Sequence, residues 1–114
     1  MRFQPILMAA VLSAAANSQA LGKAFLYSKE SCEGTEHKVE PNDKCTLLPE
    51  SLRRKINGAK VPKDVVCDFY TDEHCKEPLL IGMEEPGECS FSEYDIENRA
   101  VSVHCYDDRD QDEI

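Results

Sequence analysis

The six cysteines of this 114-residue chain are its most chemically reactive residues. Cysteines at this density ligate zinc, act as nucleophiles or form disulfides. Zinc is disfavoured because no Cys-x2-Cys pair occurs, and a thiol nucleophile is disfavoured because each cysteine has a plausible bridging partner. An even number in a small chain indicates disulfides, each stabilising the fold by about 2–4 kcal/mol. The six are Cys32, Cys45, Cys67, Cys75, Cys89 and Cys105.

Three histidines, His37, His74 and His104, are the candidates for a general base or a metal ligand. None lies in a His-Glu-x-x-His pattern, and no Gly-x-Ser-x-Gly sequence marks a nucleophilic serine. His104 alternates with the apolar residues of its segment, so we expect its side chain to be exposed. We predict no catalytic residue, no resident metal and no cofactor, and we expect that the protein is not an enzyme.

The one basic cluster is Arg53-Arg54-Lys55. It has three interpretations, which the sequence leaves open. It is a small binding patch for an acidic glycan or protein, a dibasic processing site, or the solvated face of a short helical segment.

Residues 1–20 have the pattern of a secretory signal peptide. Arg2 supplies positive charge, an apolar segment covers residues 5–16, and Ser18 and Ala20 place small residues before a cleavage point after Ala20. The apolar segment is shorter than the roughly 20 residues that cross a bilayer. We therefore predict a secreted, extracellular protein, in a compartment where disulfides form.

The chain is strongly acidic. Its formal net charge is −9, and it becomes −10 once the segment that carries Arg2 is removed. A surface of this sign has no electrostatic attraction for nucleic acid or for an anionic membrane, so we expect neither as a partner. Part of the charge lies in residues 107–114, which we predict to be a disordered acidic tail.

The sequence contains an internal repeat with a period of about 43 residues. The hexapeptide that ends at Cys32 matches the one that ends at Cys75, and Cys45 matches Cys89. Short apolar segments at 24–27 and 65–70, and alternation over 101–105, predict β-strands, whereas only residues 49–55 suit a helix, of about two turns. We predict one all-β domain over residues 21–106, with roughly four strands in each of two repeats, 23–63 and 64–106.

The repeated unit resembles the βγ-crystallin Greek-key motif. In that motif an aromatic residue opens the first strand, and five residues later a second aromatic residue precedes x-Gly. Tyr27, Cys32 and Gly34 follow this spacing with cysteine in place of the second aromatic, and the copy that begins at Tyr70 has glutamate in place of the glycine. Residues 56–61 resemble the closing strand. The resemblance implies a disulfide-stabilised sandwich of two Greek keys.

The resemblance also suggests a disulfide pattern. A Greek key places its fourth strand beside its first, which brings residues 101–105 next to residues 65–70 and allows Cys67 to meet Cys105. The repeat then favours one local bridge in each copy, Cys32–Cys45 and Cys75–Cys89, because this arrangement treats the copies alike. Six cysteines allow 15 pairings, and the others stay open.

Many crystallin-like domains bind calcium through two Asp or Asn residues, two variable residues and two Ser or Thr residues. Aligned on Ile56, this chain has Arg53 and Arg54 at the acidic positions, and Asn57 and Gly58 at the hydroxyl positions. The second copy has Asn98 and Arg99, then Ser102 and Val103. Calcium takes about six to eight oxygen ligands, and arginine supplies none, so we expect that neither copy binds calcium.

In size, cysteine content and motif, the chain resembles the small, cysteine-rich, crystallin-like secreted proteins of filamentous fungi. Several of those proteins are regarded as effectors in the host apoplast. It implies a non-enzymatic, monomeric effector that binds an unknown extracellular host protein or glycan. Two alternatives stay open: a proteinase inhibitor and a killer-toxin-like antimicrobial protein. The sequence offers three candidate binding loops, at 33–39, 76–83 and 87–95. Within the second, Leu79-Leu80-Ile81 is predicted to be a core strand.

Overall fold

The computed structural model describes residues 21–109 as eight β-strands and one short 3₁₀ helix. The strands are β1 (Ala24–Lys29), β2 (Glu33–Val39), β3 (Cys45–Leu47), β4 (Gly58–Lys60), β5 (Val65–Tyr70), β6 (Pro78–Met83), β7 (Gly87–Glu88) and β8 (Ser102–Asp107), with the 3₁₀ helix at Phe91–Tyr94. The predicted signal peptide, residues 1–20, lies outside the described residues.

Two four-stranded antiparallel sheets form the sandwich. The first has the strand order β2-β1-β4-β7 and the second β3-β8-β5-β6. In each repeat the fourth strand lies beside the first, β4 against β1 and β8 against β5, as a Greek key requires. The third strands are exchanged, because β3 joins the sheet of the second repeat and β7 joins the sheet of the first. The predicted all-β architecture of two Greek keys is confirmed.

The core lies between the sheets and consists of inward-facing residues of the strands together with buried residues of the segments that connect them. The rings of Phe69 on β5 and Phe91 on the 3₁₀ helix, both fully buried, meet edge to face with centroids 5.6 Å apart. Leu48, Leu52 and Ile56 are also buried. Their spacing of four suggested a helix over residues 49–55, but that prediction is wrong. The segment makes a single turn, in which Pro49 accepts hydrogen bonds from the backbone N–H groups of Leu52 and Arg53.

Three disulfides close the fold, and two of them differ from the predicted pairs. The structure contains Cys67–Cys105, as predicted, between residues that face each other across β5 and β8. The predicted Cys32–Cys45 and Cys75–Cys89 bridges are wrong, and the structure instead contains Cys32–Cys89 and Cys45–Cys75.

Strand exchange explains the difference in pairing. Cys45 lies on β3, and Cys89 directly follows β7, so both are carried by the third strand of a repeat. Each third strand belongs to the sheet of the other repeat, where it meets the cysteine that follows that repeat's first strand. The bridges therefore join the repeats, and the backbone N–H of Ser31 donates to the carbonyl of Cys89 at 2.7 Å beside one of them.

The end of the chain also differs from the prediction. Strand β8 continues through Asp107, and the backbone N–H of Asp108 donates to the carbonyl of Asp64 at 2.9 Å. Residues 107–109 of the predicted disordered tail are thus part of the described fold, and residues 110–114 lie outside it. Among residues 21–109, no helix is long and apolar enough to cross a membrane.

Candidate functional site

The structure does not gather the three histidines into one centre. His37 lies on β2 in the first sheet, His104 on β8 in the second, and His74 in the exposed turn before β6. Within residues 21–109, no group of three or more His, Cys, Asp or Glu side chains has a geometry that could hold a metal ion.

His104 is partly buried, contrary to the prediction that it is exposed. Its side chain is 25% exposed, with Nε2 2.6 Å from Asp43 Oδ1 and Nδ1 3.7 Å from Asp68 Oδ2. Its ring stacks on Tyr106 at a centroid distance of 5.0 Å. The contact with Asp43 links the loop before β3 to β8.

The predicted basic patch is only partly available for binding. Arg53 donates from Nε to the carbonyl of Leu48 at 2.7 Å, so one of its donors is used within the turn. Arg54 and Lys55 are exposed. The patch therefore has two exposed cations and one that is partly buried, on a chain of strongly negative net charge.

The positions that hold calcium in related motifs do not fit the ion in this chain. The Asn57 side chain reaches across to the other repeat, and its Nδ2 donates to Asn98 Oδ1 at 3.1 Å and to the Ser28 carbonyl at 2.9 Å. These two oxygens already accept hydrogen bonds. Asn57 Oδ1 is buried without a hydrogen-bond partner among the described residues, but one oxygen is far from the roughly six to eight that calcium takes. Arg53 and Arg54 add positive charge.

Two of the three predicted binding loops come together as the walls of one groove. Strand β6 ends the second sheet and β7 ends the first, and a groove of about 310 Å³ lies between these two edges. Residues 80–84 form one wall, and Gly87, Glu88 and Tyr94 form the other. Two of the three segments are not loops, because 33–39 forms strand β2 and most of 76–83 forms strand β6.

A bulge in β6 exposes an apolar side chain at this groove. Phe69 pairs with Leu80 and Cys67 pairs with Met83, so β6 has one more residue than β5 over this interval. The extra residue breaks the inward–outward alternation, which leaves Ile81 55% exposed. The prediction that Leu79-Leu80-Ile81 is a core strand is therefore correct for the strand but wrong for the burial of Ile81.

The bulge is built into the local sequence. Gly82 adopts a φ of +87°, which L-residues rarely tolerate, and its backbone N–H donates to Asp68 Oδ1 at 2.7 Å. The Asp68 carboxylate, which is only 7% exposed, thus accepts the hydrogen bond of the Gly82 N–H, which the bulge leaves without a partner in the β5–β6 ladder. The sequence signal for this feature was the glycine within an apolar strand.

The groove combines apolar contacts with negative charge. Tyr94 is 54% exposed, and Ile81 and Tyr94 are two of the three large exposed apolar residues of residues 21–109. A hydrogen bond to the Glu88 carboxylate, with the negative charge of Glu88 and then Glu93, raises the pKa of Tyr94. Glu84 and Glu88 line the groove, and no lysine or arginine of residues 21–109 does.

Acidic character continues beyond the groove. A second depression of about 200 Å³ shares Glu84 and is lined by residues 63–66, Glu85 and Asp108. It holds four carboxylates, those of Asp64, Glu84, Glu85 and Asp108, against the single ammonium of Lys63. The carboxylates around these two adjoining depressions give this end of the sandwich a negative potential that attracts cations.

A second exposed element is the rigid loop between β5 and β6. The Asp72 carboxylate accepts hydrogen bonds from the backbone N–H groups of His74, Lys76 and Glu77 at 2.7–3.0 Å. Desolvation alone would raise the pKa of Asp72, but these hydrogen bonds hold it below its ordinary value. The Cys45–Cys75 bridge fixes the same loop to β3. Lys76 is exposed in this loop.

No protein-family model matches the chain, and no sequence match to a characterised protein reaches significance. Solved structures do match its fold. A βγ-crystallin domain studied for the evolution of the eye-lens fold is similar with a TM-score of 0.67 and 15% identity, over 80% of this chain and 91% of that one.

Two microbial domains are also similar. A βγ-crystallin domain of Abundant Perithecial Protein from Neurospora crassa, in its Ca²⁺-bound form, has a TM-score of 0.60 and 18% identity, over 80% of this chain and 94% of that one. A βγ-crystallin domain from Clostridium beijerinckii has a TM-score of 0.58 and 15% identity, over 75% and 98%. The chain thus has the βγ-crystallin domain fold, with three disulfides.

Proposed function

We propose that this protein is a secreted, non-enzymatic protein of the effector type, which binds a target outside the cell that produces it. The observation that carries the proposal is the groove between β6 and β7, where Ile81 and Tyr94 are exposed on a cross-linked scaffold. Contiguous exposed apolar groups rimmed by charge are typical of interaction sites.

The disulfides support extracellular action. All six cysteines are paired, and such bridges persist in oxidising compartments. Two of the bridges join the repeats, so local opening of one repeat is restrained by the other. Because proteases mostly cut opened states, this cross-linking favours survival among extracellular proteases.

The calcium that accompanies the fungal neighbour is not part of the proposal. The Asn57–Asn98 hydrogen bond joins the repeats at the positions where calcium ligands are expected, and arginines occupy the acidic positions. We expect the fold to be independent of calcium.

Export is tested by expressing the full chain in a eukaryotic secretory host and measuring the mass of the product in the medium. We expect a species that begins at Leu21, with three disulfides and no free thiol. Retention of the full-length chain inside the cells contradicts the proposal.

Action at the groove is tested with purified oxidised protein applied to the apoplast of leaf tissue. The variants are Ile81→Ser, in the groove, and Leu47→Ser, a matched change at an exposed apolar residue on β3, the opposite edge of the same sheet. We expect the host response to wild type to be lost with Ile81→Ser and kept with Leu47→Ser. An equal response to all three proteins refutes the role of the groove.

A second candidate function, proteinase inhibition, is favoured by the rigid loop that presents Lys76. A lysine held beside a disulfide suits the specificity pocket of a trypsin-like protease. The left-handed backbone of Cys75, with φ +57°, counts against it, because a substrate-like loop is extended. Loss of trypsin activity on titration with wild type, but not with Lys76→Ala, would favour inhibition over target binding at the groove.

A further inference from the structure

Among residues 21–109, the sandwich has four sheet edges, and one of them is long and carries no charge. Strand β2 carries charged residues, β3 has three residues and is tied by a disulfide, and β7 has two residues. Strand β6 has six residues and no charge, in the sequence PLLIGM. Proteins usually protect edge strands with charge, short length, proline, bulges or covering elements, because an open edge pairs with other chains. Strand β6 has a proline at its start and a bulge near its end, but no charge between them.

The backbone of this edge is free to pair. Among residues 21–109, no backbone hydrogen bond outside the β5–β6 ladder involves residues 79–81. Pro78, which has no N–H, bounds this stretch on one side, and the bulge at Gly82 bounds it on the other. The open edge is thus a short segment that accommodates a peptide strand rather than a whole sheet.

Charge selects the occupant. Glu84 and Glu88 line the adjoining groove, and Glu85 and Glu93 are close to them in sequence. No cationic side chain in the part of the chain that the structure describes lines the groove. The net charge of −9 makes a second copy of this chain an unfavourable partner, because the two acidic rims would repel each other. A cationic segment has the complementary charge.

Apolar contacts select the pattern of the segment. Side chains of an added strand alternate between its two faces, so every second residue would lie against Ile81, Tyr94 and the groove. A volume of about 310 Å³ is near the lower end of ligand pockets, about 300–1,000 Å³, and suits one or two apolar side chains. The residues between them carry the positive charge on the other face, where the negative potential of the acidic surface attracts them without their entering the groove.

We propose that β6 binds an extended basic peptide segment, with apolar residues alternating with lysine or arginine, as a fifth strand of its sheet. Main-chain hydrogen bonds to residues 79–81 supply affinity, and the groove and its carboxylates supply specificity. This inference rests on the proposed function, since it names the class of target that the groove takes.

The test uses the full oxidised chain and a fluorescent octapeptide of alternating valine and lysine, followed by anisotropy. Two further probes are the same peptide with glutamate for lysine and the same peptide with alternate backbone N-methylation, which removes strand donors. We expect binding of the first peptide, at least tenfold weaker binding of the N-methylated one, and none of the acidic one. Raising the salt to 1 M, where the Debye length falls to about 3 Å, should also weaken binding.

The matched protein variants are Ile81→Lys on β6 and Leu47→Lys on β3, which add the same charge to two edges of one sheet. We expect at least tenfold weaker binding by Ile81→Lys and unchanged binding by Leu47→Lys, with both melting at the wild-type temperature. Equal loss in both variants, or full binding of the N-methylated peptide, overturns strand addition in favour of general charge attraction. A dimer that Ile81→Lys dissociates overturns it in favour of self-association.

The two proposals fail separately. If Ile81→Ser abolishes the apoplastic response but no basic peptide binds, the groove is functional and the peptide inference is wrong. If the basic peptide binds as predicted but the protein is not exported, the inference stands and the extracellular effector proposal is wrong.

Discussion

Replacing Cys32 and Cys89 together with serine removes the disulfide that joins the two repeats over the longest span of chain. The two residues are 57 positions apart, compared with 30 for Cys45–Cys75 and 38 for Cys67–Cys105. Both are partly exposed, so the serine hydroxyls reach water and no buried cavity forms. The loss of stability should therefore come mainly from the freed chain.

The magnitude follows from the loop that the bridge closes. For a loop of 57 residues, chain entropy predicts a loss of about 4 kcal/mol in the free energy of unfolding at 25 °C. Since small domains have a net stability of about 5–15 kcal/mol, the variant should remain folded but become marginal. We expect urea unfolding, followed by circular dichroism, to show this decrease at constant pH and salt.

A matched pair of variants separates the observed bridges from the local pairs that the repeat suggested. With the observed bridges, Cys32→Ser/Cys89→Ser has no free thiol, whereas Cys32→Ser/Cys45→Ser leaves two thiols and loses two bridges. If the bridges were instead the local pairs, Cys32→Ser/Cys89→Ser would leave two free thiols and Cys32→Ser/Cys45→Ser would leave none. Two free thiols in Cys32→Ser/Cys89→Ser, or a loss below about 1 kcal/mol, would refute the reasoning.

Phe91→Ala should lower the free energy of unfolding by about 3–5 kcal/mol, because it empties a fully buried site beside another aromatic ring. Gly87→Ala should cost at least about 1–3 kcal/mol, because φ is +96° and the added Cβ would overlap the carbonyl oxygen of Ala59. Hydrogen bonds from Ser90 and then Ser92 lower the pKa of Glu30 in the folded protein. Its carboxylate therefore stabilises the fold above its ordinary pKa of 4.5, and this contribution is lost as pH falls through the lower pKa of the folded state. The stability difference between wild type and Glu30→Gln should therefore shrink from pH 7 to pH 3. Millimolar calcium should leave the melting temperature unchanged.

Each of these predictions can be contradicted by a specific result. Phe91→Leu is the control for the first, since it keeps most of the buried volume and should lose much less stability than Phe91→Ala. Wild-type stability in Gly87→Ala would mean that the turn into β7 is not as close as described. A Glu30→Gln difference that grows in acid would reverse the sign of the linkage, and a calcium-dependent rise in melting temperature would restore a metal site.

Local patterns predicted the parts of the fold that depend on neighbouring residues. The apolar, aromatic segment Val65–Tyr70 is a strand with the predicted bounds, and the alternation over 101–105 lies almost entirely in β8. The side chains of Cys67 and Cys105 point to one face of paired strands, so their bridge followed from the Greek-key topology. The period of a strand and the pairing of the first strand with the fourth are both properties of a single repeat, which explains why the sequence predicted them.

Less of the candidate site could be predicted from the sequence. The loops at 76–83 and 87–95 were predicted separately, and only the fold places them on facing edges. The exposure of Ile81 depends on the register of β6 against β5, because one additional residue in the ladder reverses which side chains face the core. His104 was predicted to be exposed from its strand position, but a loop residue, Asp43, covers it.

The sequence by itself determined a cysteine-rich, acidic all-β chain built from two copies of a Greek-key unit, because composition and short-range periodicity record which residues face a core. Tertiary structure decided which copy each third strand joins. That exchange pairs Cys32 with Cys89 and Cys45 with Cys75, and it places the β6 and β7 edges on either side of one groove. Contacts between the two repeats depend on how the sheets are assembled, and two equivalent repeats leave that choice open until they pack against each other.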